Sequence, residues 1–136
     1  MLNAERIPDR FPFVAPSPIR IWFPSTSPRN GATKGNLSGI RSALSIYYGD
    51  NTGVYPTDLP GLTVNGKYLS VIPNATIPPY HTATSLDVNQ TAGGGPGAAT
   101  DTGEWLYDSL STDGNYGGVW VSCTHTDTHG TTWTTY

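Results

Sequence analysis

Between Gly35 and Pro60 the apolar positions fall at helical spacing. Leu37, Ile40, Leu44 and Tyr47 step by three, four and three, and Ala43 lies beside them. Ser38, Arg41, Ser42 and Ser45 fall largely on the other side. This pattern predicts a short amphipathic helix with one adhesive face. Gly49, Asp50, Asn51, Thr52 and Gly53 are a run of turn formers that stops it, and Tyr55-Pro56 punctuates the segment that follows.

Downstream the period changes. Leu62-Thr63-Val64 and Tyr68-Leu69 flank Asn65-Gly66, a pair suited to a tight reversal. Ile72-Pro73 and Ile77-Pro78-Pro79 predict an extended loop. Thr91 to Gly103 (TAGGGPGAATDTG) almost lacks side chains and reads as a flexible surface loop. Glu104 to Asp108 predicts a strand, with Trp105 and Tyr107 alternating against Leu106. Val119 to Cys123 predicts its partner, with Val119 and Val121 on one face and Trp120 and Ser122 on the other. The Thr-rich stretch Thr124 to Tyr136 fits a final strand or an extended tail. The class these elements imply is α+β: one N-terminal amphipathic helix packed on a small antiparallel sheet, with long irregular loops.

Residues 1–31 stand apart from this pattern. Prolines at 8, 12, 16, 18, 24 and 28 exclude a continuous helix or a central strand, because each removes an N–H and fixes φ. Phe11, Phe13, Val14, Ile19, Ile21, Trp22 and Phe23 form broken clumps, short of the roughly 20 apolar residues a membrane helix needs. The pattern of a signal peptide is also missing. Residues 1–31 are expected to be either a leader foreign to the domain or an extended arm, with residues 32–136 forming the globular domain.

Composition sharpens this. With 16 Gly, 12 Pro and only 12% charged residues, a loop-rich fold is favoured over a helical bundle. The net charge of −3 is uneven. Residues 1–30 carry four Arg against Glu5 and Asp9, whereas residues 31–136 carry Lys34, Arg41 and Lys67 against eight acids. A domain so acidic is a poor nucleic-acid binder, since phosphate contacts need clustered Lys and Arg. Cys123 is the single cysteine, so no intrachain disulfide can form.

Three constellations could carry chemistry. Cys123 has His125 two residues on, but no third member of a triad and no nucleophile elbow accompany it, so a buried inert thiol is expected and no enzymatic activity. His125, Asp127 and His129 project from one face if the strand is regular, and are sound ligand types for zinc. Their spacing of about 7 Å is wide for one ion, so a solvated polar face is the plainer expectation. If metal binds, it is expected between subunits with His81 or an acid added. Finally, Tyr47, Tyr48, Tyr55, Tyr68, Trp105, Tyr107, Trp120 and Trp133 raise a carbohydrate-binding platform as the alternative function, although such residues usually form the core of a small domain.

The stretch NLSGIRSALSIYYGDNTGVYPTDLPGL resembles the end of the long N-terminal helix, and the following loop, of type IV pilin-like proteins, above all type II secretion pseudopilins and related short pilins. GKYLSVIP (Gly66 to Pro73), GEWLYDS (Gly103 to Ser109) and VWVSCTHTDTHGTTWTTY (Val119 to Tyr136) follow in that family's order, so the likeness spans roughly Ala32 to the C-terminus. The family's hydrophobic N-terminal segment with its processing site is missing. The resemblance implies a pilin-like fold, in which Leu37, Ile40, Leu44 and Tyr47 glue helix to sheet. It also implies a structural subunit of a pseudopilus or surface filament, serving protein secretion or filament assembly. Its partners would be further pilin subunits and the inner-membrane assembly machinery. It would reside in the inner membrane, anchored only by the missing helix, and then in a periplasmic or cell-surface filament. Major pseudopilins hold calcium near the part of the chain that corresponds to Asp101, Glu104, Asp108 and Asp113. Here Asp108, Asp113 and Asn115 are the expected oxygen ligands, with Asp113-Gly114-Asn115 supplying a tight turn, although the match to that loop is loose.

Overall fold

The computed structural model describes residues 28–90 and 93–136. The predicted helix is present, and it is longer than its apolar stripe. Helix α1 runs Pro28–Asp50, about 35 Å at 1.5 Å per residue. Proline suits a first turn, where its missing N–H costs nothing. Residues 28–31, assigned to the leader on sequence, therefore belong to the helix; the expectations for residues 1–27 lie outside the described residues. Leu37, Ile40, Ala43 and Leu44 are buried, and the Tyr47 ring packs half-buried against the same cluster. The end is closed as the turn formers imply. Gly53 N–H donates back to Tyr48 C=O (2.9 Å), and Thr52 takes the left-handed conformation that such a cap needs (φ 55°).

After α1 the chain makes a 3-10 stretch, Leu59–Gly66, whose first turn is capped by the Asp58 carboxylate accepting from Gly61 N–H (2.9 Å). The Asn65-Gly66 reversal is real. Both residues have φ near +60°, and Lys67 N–H donates to Val64 C=O (3.3 Å). Its flanks, however, are not paired strands.

The α+β class holds, with the strands divided between two small sheets. Strands β1 (Ala75–Ile77) and β2 (His81–Thr84) form an antiparallel hairpin, with Ile77 opposite His81. This corrects the extended loop expected at Ile77-Pro78-Pro79. The prolines occupy the turn between two strands, where no ladder N–H is needed, and Tyr80 N–H closes it on Ile77 C=O (2.9 Å). The second sheet has the order β3 (Asp87–Gln90), β4 (Trp105–Asp108), β5 (Val119–Val121). The predicted β4–β5 pair is antiparallel, Trp105 opposite Val121 and Tyr107 opposite Val119. The β3–β4 pair is parallel, so this sheet is mixed rather than purely antiparallel.

Helix α1 packs on β1 and on β5, and so bridges both sheets. Trp105, Tyr107, Leu59, Leu62, Val119, Val121, Cys123 and Trp133 complete the core. All four β4 residues are buried, so the alternation expected of a half-solvated strand is absent there. The polar tips of the buried aromatics find backbone partners. Trp105 Nε1–H donates to Pro73 C=O (2.7 Å) and Tyr107 O–H to Pro56 C=O (2.6 Å). The segment after β5 is not a regular strand. Its pieces are a turn at Asp127–Gly130, an isolated bridge between Thr126 and Thr132, and a 3-10 turn at Trp133–Thr135.

Candidate metal centre

Because the chain leaves extended geometry after β5, His125, Asp127 and His129 do not share a strand face, and they do not converge on one point. Asp127 is turned inward and engaged elsewhere. Its Oδ2 accepts from Lys34 Nζ (2.7 Å) and Tyr136 O–H (2.6 Å), and its Oδ1 from the N–H groups of His129 (2.8 Å) and Thr131 (3.0 Å). Burial alone would push this carboxyl up. The donors outweigh it, Lys34 and Tyr136 first, and hold Asp127 well below the usual carboxylate range. Lys34 also lies over the Tyr136 ring, 3.8 Å from its centroid. This is a clasp between α1 and the C-terminal segment, with exposed His129 beside it.

The oxygen set expected for calcium does not form a cage either. Asp113 Oδ1 accepts from Asn115 N–H (3.0 Å) and Asn115 Nδ2 (3.2 Å), and its Oδ2 from Gly94 N–H (2.8 Å). Asn115 thus meets Asp113 through its amide donor. Asp108 Oδ1 accepts from Leu110 N–H (3.0 Å), while its Oδ2 is buried without a partner. No third carboxylate, histidine or cysteine gathers with these two among the described residues. Calcium takes 6–8 oxygens; the contacts of these three residues close turns, and Asp108 Oδ2 is the oxygen among them left buried without a partner.

One cluster with metal-ligand chemistry does form among the described residues: His81, Asp101, Cys123 and His125. His81 opens β2, Asp101 lies ahead of β4, and Cys123 and His125 follow β5. One ligand atom from each lies within 4.8 Å of all the others. Asp101 Oδ1 stands 3.4 Å from His81 Nε2 and 3.2 Å from His125 Nδ1, and Cys123 Sγ stands 3.5 Å from His125 Nδ1.

Local structure holds each side chain in place. Asp101 adopts φ 59°, in the left-handed region, and its Oδ1 accepts from Thr124 N–H (2.9 Å). That donor first, and the nearby histidines after it, keep Asp101 below the ordinary carboxylate range. The Tyr80 ring stacks on His125, with centroids 3.8 Å apart and planes 11° apart. Gly103 makes room for His81: a Cβ there would fall 2.5 Å from the His81 Cβ, and its φ of 76° independently demands glycine. Burial pushes the Cys123 thiol up to about 11, so it is protonated at neutral pH and an ion that takes it must displace that proton.

On sequence His81 figured only as an extra ligand between subunits, Asp101 only as one acid among four, and Cys123 as an inert thiol. The structure joins them within one chain. The local signal was Cys123-x-His125; the other two ligands are brought in by the hairpin and the glycine-rich loop.

The aromatic residues of the expected sugar platform are mostly interior. Trp105, Tyr107 and Trp133 are buried, and Tyr47, Tyr55 and Tyr68 pack against the core. Compared with known proteins, the chain matches no family model, no curated protein sequence and no solved structure.

Proposed function

We propose that the chain is a pilin-like structural subunit of a pseudopilus or type IV pilus-like filament, acting by assembly with further copies of itself rather than by turnover. The observation that carries this reading is α1. One face, Leu37, Ile40, Ala43 and Leu44, is sealed against β1 and β5, while Gly35, Ser38, Gly39, Ser42 and Ser45 leave the other face open. A long helix used as a spine for small sheets and loops suits a subunit that is stacked by its helix and coated by its domain. Among the described residues no helix is long and apolar enough to cross a membrane. Attachment before assembly would therefore fall to an apolar segment outside this helix.

The test is direct. Filaments sheared from cells that make the full protein are labelled with antibody raised against residues 32–136. Regular labelling along the filament, lost when the gene is deleted, is the expected result. Recovery of the chain only as a monomer, with filaments unlabelled, would overturn the reading.

A further inference from the structure

We propose that His81, Asp101, Cys123 and His125 form a structural zinc site that clasps the two sheets together. The inference stands whether or not the chain polymerises.

The donor set is chemically selective. Two imidazoles and one thiolate suit a borderline-soft ion, and one carboxylate completes four protein ligands, the number of a closed structural zinc site. The distances agree. Zinc bound at about 2.0–2.3 Å separates tetrahedral ligands by roughly 3.3–3.8 Å. Three of the ligand pairs already stand at 3.2, 3.4 and 3.5 Å, and all lie within 4.8 Å. An ion therefore fits after shifts of a few tenths of an ångström in those three pairs and at most about 1.5 Å in the other three.

A second observation points the same way. His81 Nε2 is buried and makes no hydrogen bond, although Asp101 Oδ1 stands 3.4 Å from it. Such an atom costs stability unless something fills the site. The surroundings are built as well: Gly103 is excavated for the His81 ring, Tyr80 backs the His125 ring, and Thr124 N–H fixes the Asp101 oxygen. The His81 side chain is 14% exposed and Cys123 fully buried, whereas His125 and Asp101 are 36% and 37% exposed, which gives the ion a route from solvent. On binding, the thiol releases its proton to solvent and Sγ takes the metal bond.

The placement gives the site its role. His81 belongs to the β1–β2 hairpin, Asp101 leads into β4, and Cys123 and His125 leave β5. Among the described residues the two sheets share no ladder, and α1 joins them on one side. The ion would join them a second time.

The experiment uses the whole chain, stripped with chelator and titrated with zinc, with cobalt as a spectroscopic stand-in, and with calcium. Expected are one zinc per chain, a rise in melting midpoint with zinc but not calcium, and a tetrahedral cobalt spectrum with a sulfur-to-cobalt band. Cys123→Ser should abolish that band and weaken zinc at least about 100-fold, since even outer partners of a metal site cost about 10–100-fold. Asp101→Asn, which tolerates the left-handed backbone, should weaken zinc while keeping the native circular dichroism. His129→Ala, outside the cluster, should change nothing. Should Cys123→Ser fail to fold, Asp101→Asn and His125→Gln carry the test. A chain that binds no zinc, or binds it equally after these substitutions, or gives an octahedral cobalt spectrum without sulfur character, overturns the proposal and leaves two histidines paired electrostatically with Asp101 only.

Discussion

Asp127 shows at the scale of a single residue how far local pattern can mislead. Its spacing from His125 and His129 admitted a ligand and more plainly suggested a solvated polar face, yet its carboxylate is fully buried and filled by Lys34, 93 positions away, and by Tyr136. No local period carries that information. The clasp makes a pH prediction. The folded Asp127 carboxyl is depressed, so its contribution to stability is fully present above the unfolded value of about 3.9 and is lost as pH falls through the folded one. Denaturant titrations between pH 7 and pH 2.5 should therefore show wild type losing stability below about pH 4 more steeply than Asp127→Asn. Parallel slopes would mean the carboxylate is not clasped. At pH 7, Asp127→Ala should cost about 3 kcal/mol, because two N–H groups, a phenol and an ammonium lose their shared acceptor. Tyr107→Phe makes a smaller test. It leaves the buried Pro56 carbonyl without its 2.6 Å donor and should cost roughly 1–2 kcal/mol in equilibrium unfolding.

At the scale of elements, what was legible is what has a local period. The stripe Leu37, Ile40, Leu44 and Tyr47 gave α1 its buried face, and alternation through Trp105–Tyr107 and Val119–Val121 gave the β4–β5 pair. Leu44→Ala should accordingly cost roughly 2–5 kcal/mol, whereas Ser45→Ala, exposed and bonded only back to Arg41 C=O, should stay within about 0.5 kcal/mol. Similar losses from both in urea would refute the packing. The helix also carries Gly31, Gly35 and Gly39 with nothing within 4 Å of where a Cβ would stand. Gly39→Ala should therefore raise stability by about 0.5–1 kcal/mol, read as a higher melting midpoint of the isolated chain. Less legible were the β1–β2 hairpin and the C-terminal segment. Proline was read as a barrier to pairing, which it is within a strand, but Pro78 and Pro79 stand in the turn. Alternation beyond Cys123 failed because the Asp127–Gly130 turn breaks the period of two.

At the scale of the molecule, the two sheets are separate ladders held together through the core. Helix α1 lies on both, Trp105 Nε1–H reaches from β4 to Pro73 C=O just ahead of β1, and the Thr33 hydroxyl donates to Thr76 C=O (2.7 Å) while accepting from Thr76 N–H (2.9 Å). These ties reach β1, whereas among the described residues β2 is tied through His81, which stands 3.4 Å from Asp101 Oδ1 and meets the His125 ring (centroids 5.5 Å apart), and the middle of the strand, Thr82 and Ala83, is exposed. The two-stranded β1–β2 sheet is too small to be stable alone, so its outer strand is the part of the fold that a metal clasp at His81 would secure. Local opening should start there when the ion is withdrawn. Hydrogen exchange on zinc-loaded and chelator-treated protein measures this residue by residue. The expected outcome is faster exchange confined to residues 75–84 and 100–104 and to the segment after β5, with the amides of α1 and of the β4–β5 ladder little changed. A uniform rise over α1, β4 and β5 would mean that the site supports the whole core rather than one hairpin. No change anywhere would mean that helix and core already hold β2, and that the cluster contributes nothing to the cohesion of the two sheets.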